Sequence, residues 1–286
     1  MTRTILIAAI LMLGIFKGFS QNDLFGKVTR DSLYKYEWYT QGYKAYQPDQ
    51  KVIQSINSKN LQEIGVRIFF GTWCGDTKRE LPRIMKVMDA IGIKEEKIKL
   101  FAVSNEDTFY KQSKLREEKG FYIFRVGTFI VERNEVEINR ITEYPKLSME
   151  QDLVDIINGQ NYVPQYPVYV KIKEWLLNGT LKSGNVSAYN LEPQVKNLVT
   201  KSGELNGCGY VLMANKQFEE ALKIFQINTL LYPESSNVWH SLAECAYKMG
   251  NKELSEKCLE RGLKVQGASE LVREYLDLHK KVILLP

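Results

Sequence analysis

The fold is constrained most by a mostly apolar run that is followed by a cysteine and then by a helical pattern. Val66–Phe70 is followed by Trp73 and Cys74, and apolar residues then recur at helical spacing over residues 77–91. This order places the Cys74 thiol at the junction of a buried strand and a helix. Backbone N–H groups and the helix dipole favour the thiolate at such a junction, and the thiolate is the nucleophilic form.

The first twenty residues have the features of a secretory signal peptide. Arg3 precedes the apolar run Ile5–Phe16, and the small residues Gly18 and Ser20 stand before a cleavage point at Gln21. The run is too short to span a bilayer comfortably, although an uncleaved anchor is the alternative. We therefore expect an exported, periplasmic protein that is not held in a membrane after cleavage.

Composition excludes some classes of partner. The 286 residues carry a formal net charge of +5, and the sequence contains no long block of Lys or Arg. Such a balance is typical of an ordinary globular surface, so no nucleic-acid partner is expected. The two histidines lie alone on predicted helices, and no metal site is predicted.

Residues 21–47 form an N-terminal extension rich in aromatic side chains. We expect it to pack over the following domain, and an aromatic ligand-binding surface is the alternative. Residues 48–158 then alternate between strand and helix patterns. The predicted elements are a helix from Asp49 to about Asn57, strands Val66–Phe70 and Ile98–Val103, helices 77–91 and Phe109–Lys119, a hairpin of Thr128–Val131 and Val136–Ile141, and a helix capped by Ser148. This order indicates an α/β domain with a mixed sheet and helices on both faces.

Three features of residues 48–158 resemble the thioredoxin family. Trp73-Cys74 matches the family's attacking cysteine, Pro82 matches its helix-kinking proline, and the segment 126–129 matches its Val-Pro-Thr-Phe segment. The sequence Trp-Cys-Gly-Asp-Thr is similar to a branch of exported bacterial thioredoxin-like proteins. The resemblance implies a thioredoxin-like fold with Cys74 as the candidate nucleophile beside Trp73.

The resemblance also implies a substrate groove beside that thiol. The groove residues would be Gly75 and Asp76 after the cysteine, and Gly127 and Thr128 on the segment that faces it. Pro82 would have a structural role.

The chain departs from the family pattern at three positions. Thr77 occupies the place of the resolving cysteine, Ile68 that of a buried acid, and Gly127 that of the cis-proline. A cis bond before a non-proline residue costs ~3 kcal/mol, so we predict a trans peptide before Gly127. What remains is monothiol exchange, in which Cys74 forms a mixed disulfide with a client protein or a small thiol. No cofactor is predicted beyond such an external thiol, and a vestigial cysteine is the alternative.

The C-terminal part contains an internal repeat with a period of 34 residues. Gly209 corresponds to Ala243, Ala221 to Ser255 and Phe225 to Leu259. Residues 202–267 therefore resemble two tetratricopeptide repeats, all-α in structure. Residues 268–286 would form a capping helix and tail, and residues 159–201 a linker.

The repeats suggest a second function for the chain. A repeat surface typically binds a peptide or protein partner. The protein would then be a non-catalytic interaction module whose thioredoxin-like part is structural. The repeats also explain the other three cysteines, Cys208, Cys245 and Cys258, as small buried residues. A disulfide between Cys245 and Cys258 is the alternative.

Overall fold

The computed structural model describes residues 23–265 and 272–285. The predicted signal peptide, residues 1–20, lies outside these ranges. The predicted capping helix is described only from Val272 onward, where a helix runs to Ile283.

A five-stranded mixed sheet forms the first part of the molecule. Its strands are β1 Gly26–Val28, β2 Ile64–Phe70, β3 Ile98–Ala102, β4 Thr128–Arg133 and β5 Val136–Thr142. They lie in the order β1-β3-β2-β4-β5. The pair β2–β3 is parallel, whereas β1–β3, β2–β4 and β4–β5 are antiparallel. The prediction of a mixed sheet is confirmed, and β1 is a strand that the sequence pattern did not reveal.

Helices precede, connect and follow these strands. Those of the first part are α1 Arg30–Leu33, α2 Glu37–Ala45, α3 Gln50–Gln54, α4 Gly75–Ile91 and α5 Met149–Ile157. Those of the second part are α6 Pro167–Leu177, α7 Ala188–Val195, α8 Ser202–Ala214, α9 Phe218–Leu231, α10 Ser236–Lys248, α11 Lys252–Lys264 and α12 Val272–Ile283.

Side chains along β2 and β4 alternate between the two faces of the sheet, and both faces are buried. On one face, Ile68 and Phe129 belong to a large core that also holds apolar residues of α4 and α5. The aromatic N-terminal extension joins this core through Tyr36 and Tyr39, so the prediction that it packs over the domain is confirmed. On the other face, Phe69 and Ile130 meet apolar residues of the segment 121–126.

The helix predicted for Phe109–Lys119 is wrong. That stretch contains turns, with a single short 3₁₀ helix at Asp107–Phe109 before it. Lys111 and Arg116 have positive φ, which a right-handed helix does not permit. The Ser113 hydroxyl donates to Glu118 at 2.6 Å and its backbone N–H donates to the same carboxylate at 2.9 Å. These local bonds compete with helical hydrogen bonding.

The second part of the molecule is helical and has its own core. Helix α10 begins 34 residues after α8 (236 − 202), and α11 begins 34 residues after α9 (252 − 218). The sequence period therefore predicted where these helix pairs lie.

Residues 159–201, which we expected to form a linker, belong to the same core. They contribute α6 and α7, with Ile172, Trp175, Leu191 and Val195 all buried in the helical core. Apolar side chains on both helices can exclude water only by packing on the neighbouring helices. Their burial explains why the segment is not a free connection.

The irregular segment 104–127 joins the sheet to the helices. Phe124 is part of the helical core. Arg125 donates from Nη2 to the Gly203 carbonyl at 2.9 Å, and Gln112 donates to the Ala214 carbonyl at 2.8 Å. The same segment thus covers one face of the sheet and binds α8.

The three remaining cysteines are buried, as predicted. All four cysteines are free in the structure, and Cys208, Cys245 and Cys258 are buried. The alternative disulfide between Cys245 and Cys258 is not formed. Within residues 23–265 and 272–285, no helix has the length and apolar character that crossing a membrane requires.

Candidate functional site

The Cys74 thiol lies half-buried at the start of α4. Cys74 is the N-cap residue, and its carbonyl accepts the first helical bond from Lys78 at 3.0 Å. Its side chain receives no hydrogen bond from the first turn of the helix. Instead the S–H donates to the Val126 carbonyl at 3.0 Å. This bond holds the protonated thiol, so the Val126 carbonyl acts against the thiolate that the helix dipole favours.

The turn between β2 and α4 is built around the Trp73 indole. The indole N–H donates to the Val103 carbonyl at 2.9 Å. Its ring lies against Gly71, where an added Cβ would come within 2.4 Å of the indole. Only glycine fits at such a distance, so the turn depends on Gly71 as well as on Trp73. Sequence reasoning did not single out Gly71.

Thr77 lies beside the segment that faces Cys74. Its side chain is fully buried, and its hydroxyl accepts from the Gly71 N–H at 3.4 Å. The structure records no hydrogen bond between this hydroxyl and the Cys74 sulfur. A Cβ on Gly127 would lie 3.5 Å from the Thr77 hydroxyl oxygen. The structure therefore brings Cys74, Thr77 and Gly127 together, as the resemblance implied.

The Val126–Gly127 peptide bond is cis, so the predicted trans bond is wrong. That prediction considered only the intrinsic preference of an isolated peptide bond. In the folded chain both carbonyls are engaged, because Val126 accepts from Cys74 and Gly127 accepts from the Glu143 N–H at 2.7 Å. These contacts fix the backbone on both sides of the bond.

The charges in the first turn of α4 largely pair with one another. Asp76 accepts from Arg79 at 2.7 Å, and Arg79 also donates to Glu80 at 2.5 Å. Asp76 therefore opposes the thiolate less than an unpaired carboxylate would. Gly75 faces open space, since an added Cβ would meet no atom within 4 Å.

Pro82 lies inside α4 and has a packing partner. It is buried, and an added Cβ at Gly42 would come within 2.7 Å of its Cγ. The proline thus lies where α2 of the N-terminal extension packs against α4.

Thr128 connects the site to a neighbouring cleft. Its hydroxyl donates to the Arg125 carbonyl at 2.7 Å. It is also the predicted site residue that lines a cleft of about 530 Å³ between β5 and α6. In this cleft the Glu137 carboxylate accepts from Arg140 at 2.7 Å and from Lys173 at 2.7 Å. Trp73, Cys74 and Gly127 do not line the cleft.

A buried lysine is the functional candidate that sequence reasoning missed. The Lys111 side chain is 7% exposed, and its ammonium donates to the Phe124 carbonyl at 2.6 Å. Burial first, and then repulsion by Arg125, lowers the pKa of Lys111 to about 8. Cys74 is among the groups that act on this charge. No sequence signal marks the position, because Lys111 was assigned to the predicted helix Phe109–Lys119.

No cluster of side chains in the described ranges has the composition of a metal site. Comparison of the chain with protein-family models, with curated proteins and with solved structures found no match.

Proposed function

We propose that the chain is an exported thioredoxin-like protein in which Cys74 exchanges disulfides as a single thiol. The observation that supports this most is the position of Cys74, half-buried at the N-terminus of a helix that follows the central strand β2. The segment 126–128 faces the thiol and precedes β4. This matches the arrangement that the resemblance implied.

The exchange needs no cofactor. The Cys74 thiolate attacks one sulfur of a disulfide, a new S–S bond forms to Cys74, and the second sulfur leaves as a thiolate that takes a proton from water. Thr77 offers no second sulfur, so an external thiol attacks the mixed disulfide and releases reduced Cys74. The chain starts and ends the cycle as a free thiol, and electrons pass from the external thiol to the substrate.

Oxidised glutathione is a suitable probe of this reaction. We expect the reduced protein to gain one glutathione on Cys74, detected by peptide mass spectrometry under native conditions, and to lose it on addition of excess thiol. Cys74→Ser should abolish the adduct. Cys258→Ser is the matched control and should leave it unchanged, because Cys258 is buried.

The proposal fails if Cys74 of the folded protein gains no adduct while the unfolded chain does. An adduct that excess thiol cannot release would also contradict it, since a monothiol cycle requires an external thiol to resolve the intermediate.

The second candidate function is a non-catalytic interaction module. We propose that α8–α11 form two tetratricopeptide repeats that bind a peptide or protein. A groove of about 880 Å³ between the 181–189 segment and α9 supports this candidate, with Tyr189 and Trp239 among its lining residues. Partner binding that survives Cys74→Ser and is lost in Trp239→Ala would favour it. Binding lost in Cys74→Ser would favour the exchange function.

A further inference from the structure

Lys111 is a buried cation without a carboxylate of its own. Its ammonium has one recorded hydrogen bond, to the Phe124 carbonyl, and lies 4.7 Å from the centre of the Tyr110 ring. No ion pair joins Lys111 to an acidic side chain within the part of the chain that the structure describes. Burying an ammonium is costly unless an opposite charge compensates it, so the position calls for an anion nearby.

The one carboxylate that acts on Lys111 already has other partners. Glu143 lies 3.6 Å from Arg125 and also accepts a hydrogen bond from Tyr166. The other groups that act on the charge are Arg125, which repels it, and the thiols of Cys74 and Cys208, which attract it when ionised. Among the described residues, the groups left to compensate the charge are these two thiols. Otherwise the charge is met by a molecule that reaches the site or is relieved by loss of the proton.

Cys208 cannot supply that anion at neutral pH. It is fully buried, and burial raises the pKa of its thiol well above the ordinary value. Cys74 differs because it is half-buried at a helix N-terminus, where reagents can reach its sulfur.

The backbone brings Cys74 and Lys111 to the same short segment. The Cys74 sulfur contacts the Val126 carbonyl, and the Lys111 ammonium contacts the Phe124 carbonyl. These two carbonyls belong to residues two apart, a distance that the chain spans in at most ~7 Å. Together with the 3.0 Å and 2.6 Å contacts, this places the ammonium within about 13 Å of the sulfur. At that distance a charge inside the protein still acts on the thiol.

We propose that Lys111 is the counter-charge of the Cys74 site, a positioning residue whose ammonium stabilises the thiolate and attracts anionic reagents to it. The effect opposes the Val126 carbonyl, which holds the thiol in its protonated form. The inference rests in part on the proposed function, because it gives the thiol the reactive form that exchange requires.

Protonation of Lys111 gives the effect a pH dependence. Burial and Arg125 lower the pKa of Lys111 to about 8, and the smaller effects of Cys208, Glu143 and Cys74 raise it. Lys111 is charged below that pH and neutral above it. The attraction of anionic reagents to Cys74 should therefore weaken as the pH rises from 7 to 9.

A pair of alkylating reagents measures this field directly. Iodoacetate is an anion and iodoacetamide is neutral, and both react with the same Cys74 thiolate. The ratio of their rates at Cys74 therefore cancels the fraction of thiolate and reports the local charge. We expect the ratio in the native protein to fall about threefold or more between pH 7 and pH 9. The rates are followed by peptide mass spectrometry.

Three variants define the outcome. Lys111→Met should give a low ratio that does not change with pH, and Lys111→Arg should keep a high ratio through pH 9 because arginine stays charged. Lys114→Met is the matched control, since Lys114 is exposed and should leave the profile unchanged. If Lys111→Met does not fold, the test is the comparison of the ratio in Lys111→Arg with the ratio in the native protein.

An identical profile in the native protein and in Lys111→Arg would overturn the proposal, as would a native ratio that does not vary with pH. Alkylation requires no disulfide and no external thiol. The result is therefore separate from the glutathione experiment, and either proposal can fail while the other holds.

Discussion

At the scale of single residues, two groups of one segment act on the Cys74 thiol in opposite directions. The Val126 carbonyl accepts a hydrogen bond from the thiol, with sulfur and oxygen 3.0 Å apart, whereas the Lys111 ammonium donates to the carbonyl of Phe124, two residues earlier. A carbonyl oxygen repels a thiolate and an ammonium attracts it. The Val126 carbonyl thus stabilises the resting thiol and the Lys111 ammonium the reactive thiolate, and both groups belong to segment 104–127.

Lys111 should leave a signature in the pH dependence of stability. Its pKa is about 8 in the folded state and 10.5 ordinarily, so between these values the unfolded chain binds the extra proton. Stability must then rise with pH across this window, by about 3 kcal/mol for this group. The measurement is urea unfolding of the native protein and of Lys111→Met. Between pH 7.5 and 10.5, the unfolding free energy of the native protein should rise by that amount relative to the variant.

The comparison with Lys111→Met removes the contribution of tyrosines and cysteines that also titrate in this range. The hydrogen bond lost from the Phe124 carbonyl is independent of pH and shifts the whole curve by ~1 kcal/mol. A difference that stays constant with pH would mean that Lys111 carries no charge penalty in the fold.

At the scale of helices and strands, the pair of helices α8 and α9 depends on close approach at Gly209. A Cβ there would lie 2.3 Å from the Phe225 ring of the facing helix α9. Gly209→Ala should therefore push α8 and α9 apart and destabilise the protein by about 1–3 kcal/mol. The measurement is the midpoint and slope of urea unfolding.

Gly207 on the same helix provides the control. An added Cβ there meets its nearest atom, the Phe124 carbonyl oxygen, at 3.6 Å, which is ordinary contact. Gly207→Ala should be neutral or stabilising by up to ~1 kcal/mol, because alanine is the better helix former. Equal destabilisation by both substitutions would show that the Phe225 contact is not what limits position 209.

The elements that the sequence predicted well are those with a strong repeating pattern. Three patterns extend over enough residues to identify an element: the apolar run of β2, the helical spacing of α4 and the 34-residue period. Short or irregular elements gave no such signal. Strand β1 has three residues, and the stretch after β3 has a helix-like composition but bonds Ser113 to Glu118 instead.

The candidate site was predicted in part from the family resemblance of residues 48–158. That resemblance implied that Cys74, Thr77 and Gly127 lie in one site. The cis peptide before Gly127 and the arrival of Lys111 depend on tertiary contacts of segment 104–127, which no local pattern encodes. Gly71 was missed because its role is set by the position of the Trp73 ring.

At the scale of the whole molecule, the sheet and the helices share one segment and should unfold together. Phe124 belongs to the helical core while Val126 belongs to the cluster on the sheet, and Arg125 between them binds the Gly203 carbonyl. Neither core is complete without residues 121–126. We therefore expect a single cooperative transition for the full chain.

Cysteine labelling during urea unfolding tests this expectation. Cys74 reports on the sheet, and Cys208 and Cys245, which are buried in the helical core, report on the helices. Protection of Cys208 and Cys245 should be lost at the same urea concentration as the intrinsic fluorescence change of the whole chain. Two separated midpoints would show that the parts fold independently and meet only as docked modules.

The charges beside β5 have a consequence for how copies of the protein behave in concentrated solution. Strand β5 ends the sheet, and a terminal strand can recruit a strand from another molecule. Here Glu137 is bound by Arg140 and by Lys173 of α6, and Asn139 donates to the Tyr162 carbonyl at 2.9 Å. An incoming strand would have to break this charged cluster and displace the chain that leads into α6. The fold thereby resists edge-to-edge aggregation at the β5 edge of the sheet, which lies opposite the β1 edge.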